Sequence, residues 1–108
     1  VLRSIVKGVV NTYYDRAQYY KNMFDPTTGF MRAKDNNRWF FPFDPAEVNF
    51  HYTEANSWQY SFYVPQDVNT WIDMIGGDQK AEEKLDALFN ASSETTGRTQ
   101  SDITGLIG

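Results

Sequence analysis

The apolar residues at the start of the chain recur with the period of a helix. They occupy positions 2, 5, 6, 9, 13, 17, 20 and 24, a spacing that places them on one side of an α-helix. The pattern predicts one helix over residues 2–24 with a broad buried stripe. The turn Asp25-Pro26-Thr27-Thr28-Gly29 ends it, because proline disfavours helix at the preceding residue and glycine tolerates a positive φ.

No period holds for long between residues 30 and 50. Asp35-Asn36-Asn37 is typical of a turn, and Pro42 and Pro45 interrupt the second half of the segment. The many aromatic residues of this segment argue against disorder. We therefore expect a long ordered loop, a kind of segment that often carries function.

Three more helices are predicted after this loop, together with the start of a fifth helical segment. The three helices span 54–63 with Thr53 as N-cap, 66–75 with its end at Gly76-Gly77, and 79–89 with Asp78 as cap. A surface loop is predicted over 90–101, and Asp102 is expected to cap the segment that follows it. No strand is predicted. The expected fold class is all-α.

Composition and charge exclude several kinds of partner. The chain has 10 basic and 14 acidic residues, a net charge of -4, which argues against nucleic acid. It has no cysteine and one histidine, His51, so we expect no metal site within it. No apolar run is long enough to cross a membrane. Because an apolar pattern begins at Val1 and another begins at the end of the chain, we expect residues 1–108 to be part of a larger domain.

The most informative segment surrounds Glu54, where residues 51–63 contain six aromatic or imidazole side chains. In a helix that starts at Glu54, Trp58 shares its face, with Ser57 and Ser61 alongside. A carboxylic acid beside a ring suits a glycosidase, because the acid protonates the leaving oxygen while the ring supports the sugar. The alternative is an ordinary charge at a helix start, where amide dipoles stabilise the ionised form. Spacing alone favours that structural interpretation, and likewise a hydrogen-bonded structural role for His51.

Several motifs in a fixed order resemble the exo-acting α-mannosidases of glycoside hydrolase family 92. They are FDP at 24–26, TGFMR at 28–32, PFDP at 42–45, YTEANSWQY at 52–60, VPQDV at 64–68, GG at 76–77, LDALF at 85–89 and DITGLIG at 102–108. The resemblance extends over nearly the whole chain. Gln66 departs from it, since histidine is usual at that position.

The resemblance implies that residues 1–108 are a partial catalytic domain, a segment of an (α/α)₆ toroid. It implies calcium-dependent, inverting hydrolysis of α-mannosides, α-1,2-linked or N-glycan-type, in a bacterial periplasmic or secreted protein. Glu54 matches the general acid, and Trp58 and Gln59 match positions near the sugar. The catalytic base and the calcium ligands are expected in the rest of the parent chain, so the isolated segment is expected to be inactive.

Two other functions are compatible with the same residues. A non-catalytic carbohydrate-binding module would use the aromatic rings without any proton transfer by Glu54. A helical interaction module would use its apolar stripes to bind partner helices. Loss of activity on replacing Glu54, with sugar binding retained, distinguishes the enzyme from both.

Overall fold

A computed structural model describes residues 2–103, 105 and 106 of the chain. Its elements in chain order are α1 (Leu2–Ala17), a 3₁₀ helix (Tyr19–Met23), β1 (Phe24–Asp25), β2 (Phe30–Met31), β3 (Lys34–Asp35), β4 (Arg38–Trp39), β5 (Glu47–Val48), α2 (Ser57–Phe62), α3 (Val68–Ile75), α4 (Asp78–Asn90) and β6 (Thr96–Gly97). The strands form two antiparallel pairs, β1–β2 and β3–β4, and one parallel pair, β5–β6.

The predicted all-α class is therefore wrong, and with it the expectation of an (α/α)₆ segment. The fold mixes helices with three two-stranded sheets. Each strand is two residues long, too short to show the alternation of apolar and polar residues that predicts a strand. Four of the six strands fall in the segment predicted as an irregular loop.

A tight turn joins the two strands of each antiparallel pair. Gly29 has a φ of 72° between β1 and β2, and Asn36 and Asn37 have φ of 48° and 61° between β3 and β4. Two successive positive φ values are those of a type I′ hairpin turn, which asparagine tolerates. The predicted turn at Asp35-Asn36-Asn37 is confirmed.

Helix α1 ends at Ala17, well before the predicted end at Phe24. Its predicted buried stripe is also wrong, because Ile5, Val9 and Tyr13 are 58%, 50% and 65% exposed. Within the described part of the chain, α1 packs mainly against the 3₁₀ helix that follows it. The period correctly indicated a helix but not the burial of its apolar side.

The core lies between the β1–β2 pair, α3 and α4. Its buried residues are Phe24, Met31, Val64, Trp71 and Ala81. The Trp71 indole N–H donates to the Ser61 carbonyl at 2.7 Å, which ties α3 to α2. Burial of these apolar side chains stabilises the core, and this hydrogen bond holds α2 against it.

The predicted helices over 66–75 and 79–89 are confirmed as α3 and α4 with small shifts of their ends. Gly76 ends α3 with a φ of 118°. The amide of Gly77 donates to the Ile72 carbonyl and that of Gly76 to the Asp73 carbonyl, as in a Schellman-type cap. Gly77 is the N-cap of α4, so the capping role predicted for Asp78 is wrong.

The fifth segment expected after Asp102 falls partly on Thr104, Ile107 and Gly108, outside the described residues. None of the helices in the described ranges has the length and apolar character that crossing a membrane requires.

Candidate functional site

Helix α2 begins at Ser57, with Asn56 and not Thr53 as its N-cap. The Asn56 side chain accepts a hydrogen bond from the Gln59 amide, and the Gln59 side chain accepts one from the Asn56 amide, both at 3.2 Å. This reciprocal capping box satisfies two amides at the helix start. Glu54 therefore precedes the helix, and the predicted shared face with Trp58 is wrong.

The serines of α2, predicted to lie alongside Glu54 and Trp58, face the interior of the fold. Ser57 Oγ donates to the Met31 carbonyl at 2.5 Å, and Ser61 Oγ accepts from the Met31 amide at 2.8 Å. Both serines are buried, because the backbone of the short strand β2 needs hydrogen-bond partners once it is covered. The tyrosines Tyr60 and Tyr63 are exposed.

Glu54 has a left-handed backbone, with a φ of 51°. This region is uncommon for residues other than glycine and costs on the order of 1–3 kcal/mol. Tyr60 Oη holds the preceding residue, donating to the Thr53 carbonyl and accepting from the Thr53 amide, both at 3.2 Å. Ala55 on the other side is buried. The loop that carries Glu54 is thus fixed at both ends, while the Glu54 side chain is exposed.

A pocket of about 290 Å³ lies beside this loop. It is lined by Tyr20, Met23, Met31, Arg32, Ala33, His51, Tyr52, Tyr60, Tyr63 and Val64. Tyr52 and Tyr60, whose ring centroids are 5.4 Å apart, connect it to the segment that carries Glu54. Glu54 itself is not among the lining residues.

A second pocket, of about 360 Å³, shares two of these tyrosines and is lined by Ala55, Gln59, Tyr60 and Tyr63. The sequence prediction included Gln59 but missed the tyrosines. The signal for Tyr60 and Tyr63 was available in their spacing, since residues three apart lie on one face of a helix.

A buried ion pair fixes the wall of the first pocket. Arg32 Nη1 lies 2.9 Å from Asp25 Oδ2, and Arg32 also donates two hydrogen bonds to the Phe40 carbonyl. Burial alone would raise the pKa of Asp25, but hydrogen bonds from Thr27, Arg32 and Thr28 outweigh it and lower that pKa. The carboxylate stays ionised and keeps the arginine in place.

Trp58 is half-buried and is not among the residues that line either pocket. Its ring contacts Phe30 edge to face, with centroids 4.7 Å apart. The ammonium of Lys84 lies 3.3 Å from the Phe30 centroid and 5.4 Å from the Trp58 centroid. The structure thus gives Trp58 a packing role, and its predicted contact with sugar stays a prediction.

His51 is exposed and packs edge-on against Phe40, with centroids 4.3 Å apart. Its backbone amide donates to Asn49 Oδ1 at 2.9 Å. Among residues 2–103, 105 and 106, no group of three or more histidine or acidic side chains could hold a metal ion.

Two pockets with aromatic lining therefore lie near a strained, well-anchored loop, and concave sites with aromatic walls are where small molecules commonly bind. The sequence matches the model of the glycosyl hydrolase family 92 catalytic domain over residues 5–108. The chain belongs to this family, which confirms the resemblance and makes it part of a glycoside hydrolase with a carbohydrate substrate. No curated protein matches it.

Proposed function

We propose that the chain is part of the catalytic domain of a calcium-dependent, inverting exo-α-mannosidase of α-1,2-mannosidase-like specificity, and that Glu54 is its general acid. The observation that carries the proposal is the left-handed backbone of Glu54, anchored through Thr53 and Tyr60 next to an aromatic pocket. Strain of this kind clusters at active sites, where it presets a side chain for its task. The proposal places the protein in a bacterial periplasmic or secreted setting.

In this mechanism Glu54 donates its proton to the leaving oxygen of the scissile bond. An aspartate outside this chain takes a proton from the attacking water, and inversion requires the two carboxyl groups to stand about 6.5–9.5 Å apart. The calcium ligands also lie outside this chain, so none of the steps assigned here involves the metal. The sugar is bound by Gln59, Trp58 and the two tyrosines that line both pockets, Tyr60 and Tyr63.

An acid role for Glu54 requires that other parts of the protein shield it from water. Glu54 is exposed in this chain, and so is Tyr63, at 79%. A general acid near neutral pH has to hold its proton until transfer, which a water-poor site favours. Other parts of the catalytic domain must therefore cover the surface formed by Glu54, Tyr60 and Tyr63 and turn the two pockets into one cleft.

The acid role is tested by Glu54→Gln in the full-length enzyme. On an α-1,2-mannobiose we expect kcat/KM to fall about 10²–10⁴-fold, the usual contribution of general acid–base catalysis. On an aryl mannoside with an acidic phenol as leaving group, we expect a loss of less than about tenfold, because that group departs with little protonation.

The matched control is Glu82→Gln, which removes an exposed carboxylate of α4 and should leave both activities within about twofold of wild type. Equal losses on the two substrates in Glu54→Gln would contradict an acid role and indicate a defect in folding or binding.

One observation favours a second candidate, a non-catalytic carbohydrate-binding surface. The exposed rings of Tyr60 and Tyr63 line both pockets, and Glu54 lines neither. Under this alternative, Glu54→Gln leaves hydrolysis unchanged, and Tyr63→Ala weakens sugar binding. Titration calorimetry of the two variants with mannobiose separates the two functions.

A further inference from the structure

Lys84 lies in an aromatic niche that brings together three separate parts of the fold. It belongs to α4, and its ammonium contacts the rings of Phe30 in β2 and Trp58 in α2 at centroid distances of 3.3 and 5.4 Å. A Cβ built on Gly29 would lie 3.6 Å from Lys84 Nζ, so the β1–β2 turn also approaches the ammonium closely.

The ammonium has no conventional ionic partner in the described part of the chain. No hydrogen bond or salt bridge of Lys84 is found there, whereas Lys80 on the same helix pairs with Glu83 at 2.8 Å. Burial lowers the pKa of Lys84 to about 8, so most of the side chain is still charged at pH 7. A partly desolvated cation interacts with aromatic faces more strongly than an exposed one does.

These contacts form a chain from Lys84 to the motif that contains the proposed acid. Lys84 lies over Phe30, Phe30 packs edge to face on Trp58, and Lys84 also reaches the Trp58 ring directly. The first turn of α2 holds Trp58, and the capping box at Asn56 and Gln59 fixes that turn. The backbone of Trp58 is thus set by the cap, and its ring by the aromatic niche.

We propose that Lys84 is a positioning residue that orients the Trp58 indole through cation–π contact, and that this orientation sets the affinity of the enzyme for its sugar substrate. The inference rests on the proposed function in one respect, the contact between Trp58 and the substrate. Lys84 itself touches neither the sugar nor the reacting atoms.

The kinetic test compares Lys84→Met with Lys84→Arg in the full-length enzyme. Methionine keeps an unbranched side chain but removes the charge, and KM should rise about tenfold while kcat changes by less than about twofold, as expected when uniform binding is lost. Arginine keeps a cation that can stack on rings and should hold KM within about threefold of wild type. Lys80→Met, one turn away on α4, is the matched control and should leave KM unchanged.

A double-mutant cycle assigns the effect to Trp58. In a Trp58→Leu background, Lys84→Met should change KM by less than about twofold, because the group that Lys84 orients is gone. A second measurement does not depend on catalysis. In the full-length enzyme, the fluorescence that is lost on Trp58→Leu is assigned to Trp58, and Lys84→Met should shift the emission maximum of this difference spectrum while Lys84→Arg leaves it near that of wild type.

Three results would overturn the proposal: an unchanged KM in Lys84→Met, an equal rise of KM with and without Trp58, or a folded Lys84→Arg enzyme whose KM rises tenfold. If Lys84→Met does not fold, the arginine variant decides, through its KM and emission. Full disaccharide activity in Glu54→Gln would refute the acid assignment alone, since the coupling between Lys84 and Trp58 is measurable with any glycoside that the enzyme cleaves.

Discussion

Replacing Asp25 with asparagine should open the β1–β2 turn far more often than removal of an exposed charge does. Asp25 is 0% exposed, and its carboxylate accepts hydrogen bonds from the Thr27 amide at 2.9 Å, the Thr27 hydroxyl at 2.6 Å and Arg32 Nη1 at 2.9 Å. The asparagine oxygen can still accept from Thr27. It cannot neutralise Arg32, whose side chain is only 12% exposed.

The expected cost is set by these contacts. Breaking a buried ion pair by removing one partner costs about 3–5 kcal/mol. The lower end applies here, because Arg32 keeps its two bonds to the Phe40 carbonyl. About 3 kcal/mol corresponds to roughly a hundredfold change in a local opening equilibrium, since each 1.4 kcal/mol is a factor of about ten.

Amide hydrogen exchange read by mass spectrometry on the peptide covering residues 24–32 measures this opening. The amides of Thr28 and Gly29 donate to the Asp25 carbonyl, and that of Arg32 donates to the Met23 carbonyl, so all three report on the turn. We expect exchange to be about a hundredfold faster in Asp25→Asn.

The matched control is Glu83→Gln, which removes the salt bridge between Glu83 and Lys80. The side chain of Lys80 is 63% exposed and that of Glu83 is 51% exposed. It should change exchange in its own helix by less than about threefold, because exposed pairs contribute little. If Asp25→Asn exchanges at a rate within about threefold of wild type, the ion pair does not hold the turn and the reasoning fails. The pKa of Asp25 is lowered in the folded state, so its contribution is present above the ordinary aspartate range and is lost as pH falls through the folded value.

Three further outcomes are expected. Glu54→Gly should leave the free energy of unfolding unchanged or raise it by up to about 1 kcal/mol, because glycine adopts a positive φ without strain. The same variant should lose disaccharide hydrolysis. A clear fall in the free energy of unfolding would contradict backbone strain at this position. Asn56→Ala should cost about 0.5–2 kcal/mol by removing the cap of α2, seen as faster exchange of the Gln59 amide, and unchanged exchange would argue against the capping box. The pKa of Lys84 is lowered to about 8 in the folded protein, so between pH 8 and about 10.5 the unfolded chain holds a proton on Lys84 that the folded chain has lost. The free energy of unfolding should therefore rise with pH over this range. Urea unfolding of Lys84→Met should lack that rise.

Local signals predicted α3 and α4 because their ends are encoded by neighbouring residues. Gly76 and Gly77 end one helix and begin the next through backbone conformations that glycine adopts easily. The turn at Asn36 and Asn37 is equally local, since asparagine tolerates a positive φ. Such features depend on the chain within a few residues and are therefore visible in the sequence.

The start of α2 was predicted wrongly although a signal for it exists. Thr53 and Asn56 are both good N-cap residues, but only Asn56 is followed three positions later by a residue, Gln59, that completes a capping box. That choice places Glu54 outside the helix, on a left-handed backbone. The inward orientation of Ser57 and Ser61 has no such signal, because it depends on Met31, a residue distant in sequence.

The sequence by itself determined the family, the positions of the later helices and the tight turns, because motif order and helix-end chemistry are properties of short segments. Only the tertiary structure decided which side of α2 faces the core, which two-residue segments pair as strands, and that Lys84 meets Trp58. These outcomes depend on hydrogen bonds and packing between residues distant in sequence, such as Thr96 with Asp44 at 2.6 Å and Met31 with Ser61 at 2.8 Å. A short strand has no pattern of its own, and only such contacts hold it in place.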